Sequence, residues 1–180
     1  MRAATGGFRA ARLNQRLDRL NKPIYFTDKQ TEWFMTNSSV VQYGVPIGLD
    51  EAKRIVAASE RAASANGFAA IIAVVDSAAE LVVLERMDHG QYGSIDVAIS
   101  KARTAVRFKR PTKAVEDALA QGGVGLRLLT VPDTCAIEGG IPLIRDGKII
   151  GGIGVSGMMA QQDGQIAAAG VAALAVTAQT

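Results

Sequence analysis

The chain has a single histidine, His89, within the run Asp88-His89-Gly90. Imidazole titrates near neutral pH and is also a common metal ligand. With Asp88 beside it, His89 can do acid–base work on a small substrate, or ligate the iron of a bound group. The competing reading is an ordinary exposed loop histidine. Gly93 and Ser94 follow closely and stand ahead of an apolar-periodic stretch. A helix starting there turns unbonded amides toward solvent, and such amides suit a carboxylate. Taken alone, Ser94 reads as a plain helix cap; taken with His89, it outlines an anion site.

A second candidate is Glu138-Gly139-Gly140. Paired glycines let a ligand or another stretch of backbone come close, and Glu138 could then act as a base. A bulge or a tight turn into a strand accounts for the same glycines. Cations gather at Lys101, Arg103, Arg107, Lys109 and Arg110. Lys101 or Arg103 could hold the carboxylate of an organic acid, but a row of this kind is more often a solvated helix face or an intersubunit ion-pair row. Met158-Met159 could line a pocket or ligate iron, with core filling as the plainer role, and the lone Cys135 reads as a small buried hydrophobe. One histidine and one cysteine cannot build a usual zinc site, so no metal centre is expected. Gly151, Gly152, Gly154 and Gly157 contain a G-x-G run, yet it follows a hairpin turn instead of joining a strand to a helix. Close packing of strand on helix explains it better than a dinucleotide does. No G-x-S-x-G elbow occurs.

The elements that must position these residues begin at Gly48. Ala52, Ile55, Val56, Ser59 and Ala63 recur at three- and four-residue steps. They predict a helix opened by Asp50 and Glu51 and closed by Asn66-Gly67, with the small Ser59 at a close helix contact. Phe68–Asp76 predicts a buried strand, Ser77–Glu80 a turn, and Leu81–Met87 the returning strand. Ser94 caps a second helix with the stripe Ile95, Ala98, Ile99, Ala102, Ala105 and Val106, which Pro111 stops. A third helix runs from Thr112 to Gln121 and ends at Gly122-Gly123. Gly139–Arg145 and Lys148–Gly157 form a hairpin around Asp146-Gly147. A last helix begins near Gln161, with Asp163 in its first turn. Two antiparallel hairpins among four helices specify an α+β fold, an antiparallel sheet with helices packed on it. Residues 124–138 are where a further strand could form.

The chain has 180 residues, 48% of them hydrophobic and only 5% aromatic, which suits one domain with a core of small side chains. Residues 1–46 stand apart as an N-terminal arm ahead of a domain over 47–180. The arm carries Phe8, Tyr25, Phe26, Trp33, Phe34 and Tyr43, aromatics that need a subunit surface to cover them. Residues 1–22 hold six Lys and Arg against Asp18, leaving 14 basic and 16 acidic residues beyond them. The excess basic charge therefore belongs to the leader, and no nucleic-acid partner is expected for the domain. No stretch is apolar enough to span a membrane and no apolar signal region is seen, so a cytoplasmic location is expected.

Four segments carry a resemblance: LDEAKRIVAASERAA, VVDSAAELVVLERMD, SIDVAISKARTAVRFKRPT and GGIPLIRDGKIIGGIGVSGMMAQQDGQIAAAGVAAL. In this order and spacing they resemble the GlcG/HbpS family, whose relatives include the C-terminal domain of PduO-type proteins. The match spans about 125 of the 180 residues, and its last two segments are the most specific. The resemblance implies a profilin-like fold and homo-oligomers from dimers to octamers. It also implies haem as a ligand of some members, and a place beside catabolic operons. His89 stands where the family commonly has a small residue after Met-Asp, and residues 1–46 have no counterpart in its short members. No axial haem ligand shared by the whole family is carried over.

Three functions stay open at this point. One is a binding protein for haem or another planar or anionic small molecule. Another is a cofactor-independent isomerase, lyase or hydrolase of an organic acid. There Asp88, His89 and Glu138 would do acid–base work, while Ser94, Lys101, Arg103, Gly139 and Gly140 bind. The third is an accessory subunit that docks through its arm.

Overall fold

The computed structural model describes residues 41–176, with side chains as far as Leu174. The readings made for Phe8, Tyr25, Phe26, Trp33 and Phe34, and for the basic leader, lie outside the described residues.

Helix α1 spans Leu49–Ala65 and buries Ala52, Ile55, Val56, Ser59 and Ala63, the stripe its periodicity predicts. It ends where Gly67 adopts φ 68°, a conformation that suits glycine. Strands β2 (Ile71–Asp76) and β3 (Leu81–Arg86) form the first hairpin. The Asp76 carboxylate fixes its turn by accepting the amides of Ala78 and Glu80. Phe68, Ala69 and Ala70 precede the first of these strands instead of belonging to it. Helices α2 (Ser94–Arg107) and α3 (Thr112–Ala120) follow, then a 3-10 helix over Gly123–Thr130. Strands β4 (Gly140–Arg145) and β5 (Lys148–Ser156) make the second hairpin, and α4 covers Ala160–Val176.

β5 is the centre of the sheet. One edge pairs antiparallel with β4, and the other pairs antiparallel with β2, from Ile71↔Ser156 to Asp76↔Gly151. A fifth strand, β1 (Gln42–Tyr43), pairs parallel with Lys148 and Ile149. The additional strand thus comes from the end of the segment read as an arm, while residues 123–130 coil into the 3-10 helix. Val41 is buried, the Tyr43 hydroxyl donates to the Val106 carbonyl, and the Lys109 ammonium donates to the Val41 carbonyl at 2.6 Å.

Both faces of the sheet are covered. Ile72, Val74, Ile141, Leu143, Ile153 and Val155 pack with Ile55 and Val56 of α1 and Ile166 and Ala167 of α4. On the opposite face Ile71 and Ala73 meet Ala98, and Val75 and Ile149 meet Ala102 and Val106 of α2. The strand glycines set how close α2 lies. A Cβ on Gly154 would fall on the Ala98 carbonyl, and one on Gly152 would stand 2.8 Å from the Ala102 carbonyl. The G-x-G run is therefore a bed for a helix, as its hairpin context predicts.

Candidate functional site

Most of the residues singled out for chemistry lie at one end of the sheet, where β2 and β4 begin and β3 and β5 end. They fall into two groups. Arg103 joins neither: its guanidinium reaches the Ala79 carbonyl and Glu80 at the β2–β3 turn.

The first group is buried. Lys101 is 1% exposed, and its ammonium donates to the Asp163 carboxylate at 2.7 Å and to the Val155 carbonyl at 2.9 Å. The side chain thereby ties α2, on one face of the sheet, to α4, on the other. Asp163 also accepts the Met158 amide, which anchors the turn into α4. Burial holds the Asp163 carboxyl above its ordinary range, and the hydrogen bond from Lys101 offsets part of that rise. Glu138 is 3% exposed and packs on Gly164, where a Cβ would meet its carboxylate; its amide donates to Glu116 at 2.5 Å. The Gly140 amide donates to Thr112 at the start of α3, and the Cys135 amide to Thr104 of α2. Burial also pushes the Cys135 thiol up, which keeps it protonated and a weak nucleophile.

Gly139 and Gly140 serve close packing against this group. Gly139 has φ 127°, and a Cβ there would stand 2.6 Å from the Val155 carbonyl and 2.9 Å from the Lys101 ammonium. A Cβ on Gly140 would fall on the Lys101 carbonyl. Protein atoms fill the space these glycines leave.

The second group is exposed. His89 sits in the turn after β3 with φ 65°, and both it and Asp88 face solvent. The Gly90 amide closes the turn onto the Met87 carbonyl at 3.0 Å, and buried Gly90 lies against Ile71. Arg86 donates to the Gly90 carbonyl and lies 5.1 Å from the centre of the Tyr92 ring, which is 78% exposed. Ser94 differs from its expected role. Gly93 is the N-cap, and the Ser94 hydroxyl accepts from the Gln91 side chain. The Ser94 and Ile95 amides donate to the Gln91 and Tyr92 carbonyls, so the helix start offers fewer open amides than its sequence suggests. His89 and Glu138 share an end of the sheet but not a site. β3 and β4 stand three strand spacings apart, about 14 Å.

Sequence reasoning placed Lys101 beside the arginine row, and the structure puts it among the core residues. Its signal was its position three after Ala98 and four before Ala105, on the row that faces the sheet. Asp163 was read only as a first-turn acid, and its pairing with Lys101 had no local signal. Met159 is 68% exposed and fills no core.

A two-faced, mainly antiparallel sheet covered by helices defines a small α+β domain that shares its fold with solved HbpS structures. The chain belongs to the HbpS-like family: the sequence model described as haem degrading protein HbpS-like matches residues 47–172. Protein GlcG of Escherichia coli strain K12 is 39% identical over 105 residues, covering 58% of this chain and 77% of GlcG. The crystal structure of a double mutant of Streptomyces reticuli HbpS superposes with TM-score 0.66 at 33% identity, covering 73% of this chain and 89% of that one. The crystal structure of a PduOC:haem complex superposes with TM-score 0.66 at 29% identity, covering 72% of this chain and 95% of that one.

Proposed function

We propose that this protein binds haem, or a planar anionic ligand of the same kind, at the exposed turn after β3. The observation that carries the reading is a solvent-facing imidazole, His89, on the turn whose flanking residues Arg86 and Tyr92 stack on each other. These residue types fit the group: an imidazole for iron, a guanidinium for carboxylates, and an aromatic ring for a flat macrocycle. Bound haem would supply a redox-active iron. The haem-bound PduOC relative supports the choice of ligand. An open surface suits a tetrapyrrole better than the cavity beside α3, whose volume of about 280 Å³ is at the lower edge of small-ligand pockets.

One protomer presents only one wall to such a ligand. Assembly into homo-oligomers, in which a second copy covers the turn, belongs to the same proposal. So do a cytoplasmic location and a role in small-molecule catabolism. No helix among the described residues is long and apolar enough to cross a membrane. The enzyme alternative draws less from this geometry. Lys101 already holds the carboxylate of Asp163, and buried Glu138 leads into β4, which stands about 14 Å across the sheet from β3, the strand that leads to His89.

Haem titration of the purified chain, followed in the visible spectrum, tests the proposal. We expect a Soret band whose position shifts, and an affinity that falls about tenfold or more, in His89→Ala. A band that His89→Ala leaves unaltered removes His89 from the ligand role. No band with the unmodified chain overturns the proposal.

A further inference from the structure

A cavity of about 280 Å³ opens between α3 and the 3-10 helix. Phe108, Val115 and Leu128 give it an apolar lining, and Arg110, Arg127 and Gln121 give it a polar one. The backbone fixes its walls. Gly122 and Gly123 take φ 67° and 51°, which turns the chain back along α3. Gly125 then lies so close to α3 that a Cβ would fall on the Ala118 carbonyl. The segment after α3 is thus held against it at Gly125, where a larger residue has no room, and the cavity is what remains beside that contact.

Neither of the two arginines makes an ion pair among the described residues, a state they share with Lys53, Arg54, Arg61, Arg86, Lys109 and Lys148. Among the described residues, Lys101, Arg103, Arg107, Lys113 and Arg145 each make an ion pair. Arg110 donates only to the Phe108 carbonyl, and neither it nor Arg127 pairs with a described carboxylate. Two arginines beside an apolar wall suit a carboxylate on an apolar body, because a planar fork matches a carboxylate and the wall matches hydrocarbon. A volume of about 280 Å³ lies at the small end of ligand pockets, which suits a compact ligand.

We propose that this cavity is a binding site for a small organic monoanion, an aryl or branched-alkyl carboxylate. It flanks the C-terminal end of α2, whereas the His89 turn precedes the N-terminal end. A helix of 14 residues separates them by about 20 Å. The proposal is therefore independent of haem binding, and either can fail without the other.

Benzoate matches the size and charge, and benzamide is its neutral counterpart. Titration of the full chain with each, followed by nuclear magnetic resonance shifts of the α3 and 3-10 amides, reads binding directly. Saturable shifts with benzoate are expected, with benzamide about tenfold weaker or more. Arg110→Gln with Arg127→Gln, both exposed positions whose replacement leaves the core intact, should weaken benzoate by a similar factor and leave benzamide unchanged. Ala114→Phe should block both ligands; if it fails to fold, the arginine variants and the benzamide comparison still decide. Absence of saturable shifts with benzoate at tens of millimolar overturns the proposal. So does benzoate binding that the double variant or the loss of charge leaves unchanged.

Discussion

At one end of the sheet, β3 and β4 lead to two polar segments that the fold treats in opposite ways. Around Glu138 the charges of Lys101, Glu138 and Asp163 are buried, with Lys101 spanning from α2 to pair with Asp163 on α4. Around His89 the Asp88 and His89 side chains face water, and the backbone at His89 takes φ 65°. A charge leaves water at a cost of several kcal/mol, which only a well-placed partner offsets, so the buried group is committed to the fold. An exposed imidazole needs no partner. What needs explaining at His89 is a side-chain-bearing residue in a backbone conformation that glycine would hold with less strain. Ala79, Lys109, Asp133 and Asp146 also take positive φ, so the use of the His89 side chain is read from its imidazole and its exposure and not from its backbone.

The sharpest way to break this contrast is to remove one member of the buried pair. Lys101→Met should destabilise the protein by about 3–5 kcal/mol, because Asp163 is left as a buried charge without its main partner. Changing both residues, Lys101→Met with Asp163→Leu, should recover a large part of the loss. The effect also has a pH signature. Burial raises the Asp163 carboxyl and Lys101 restrains that rise, so removing Lys101 sends it further up. Between the ordinary carboxylate range and that raised value the folded variant then binds more protons than its unfolded chain. Its stability falls as pH rises through this window. Urea unfolding on both sides of the window should show the smaller deficit on the acidic side. A deficit that does not change with pH would mean that Lys101 acts by packing alone.

The bed of α2 gives the next effect. Gly154→Ala should cost about 1–3 kcal/mol, since the added methyl falls on the Ala98 carbonyl and the helix must lift. Thermal unfolding measures it, and His89-dependent haem binding should change little by comparison. This packing was legible before the structure, because G-x-G inside a hairpin strand leaves few other roles. The stripe of α1, the two hairpins and the order of the main helices were legible for the same reason: each rests on local periodicity and turn chemistry. Lys101 was not, since residue type argued for solvent and its partner lies 62 positions away. β1 escaped because two residues carry no period, and only the free end of β5 gives them a place. The exposed turn was legible as a place, from Asp88 to Ser94. The bonds that occupy the Ser94 amide were not, because they come from how Gln91 and Tyr92 fold back.

The smallest effect separates the two regions most cleanly. His89→Gly places at φ 65° the residue that tolerates it best. Relief of left-handed strain, of order 1 kcal/mol, is offset by the extra freedom glycine gives the unfolded chain. The net change should lie between zero and about 1 kcal/mol of added stability, measured by urea unfolding. Haem binding should fall as it does in His89→Ala. The opposite behaviour is expected at Lys101, where stability collapses. A variant that becomes as stable or more stable while losing its ligand marks a residue kept for binding at some expense of the fold. If His89→Gly were instead clearly destabilising, the imidazole would have a structural partner, and the exposed turn would belong with the buried group.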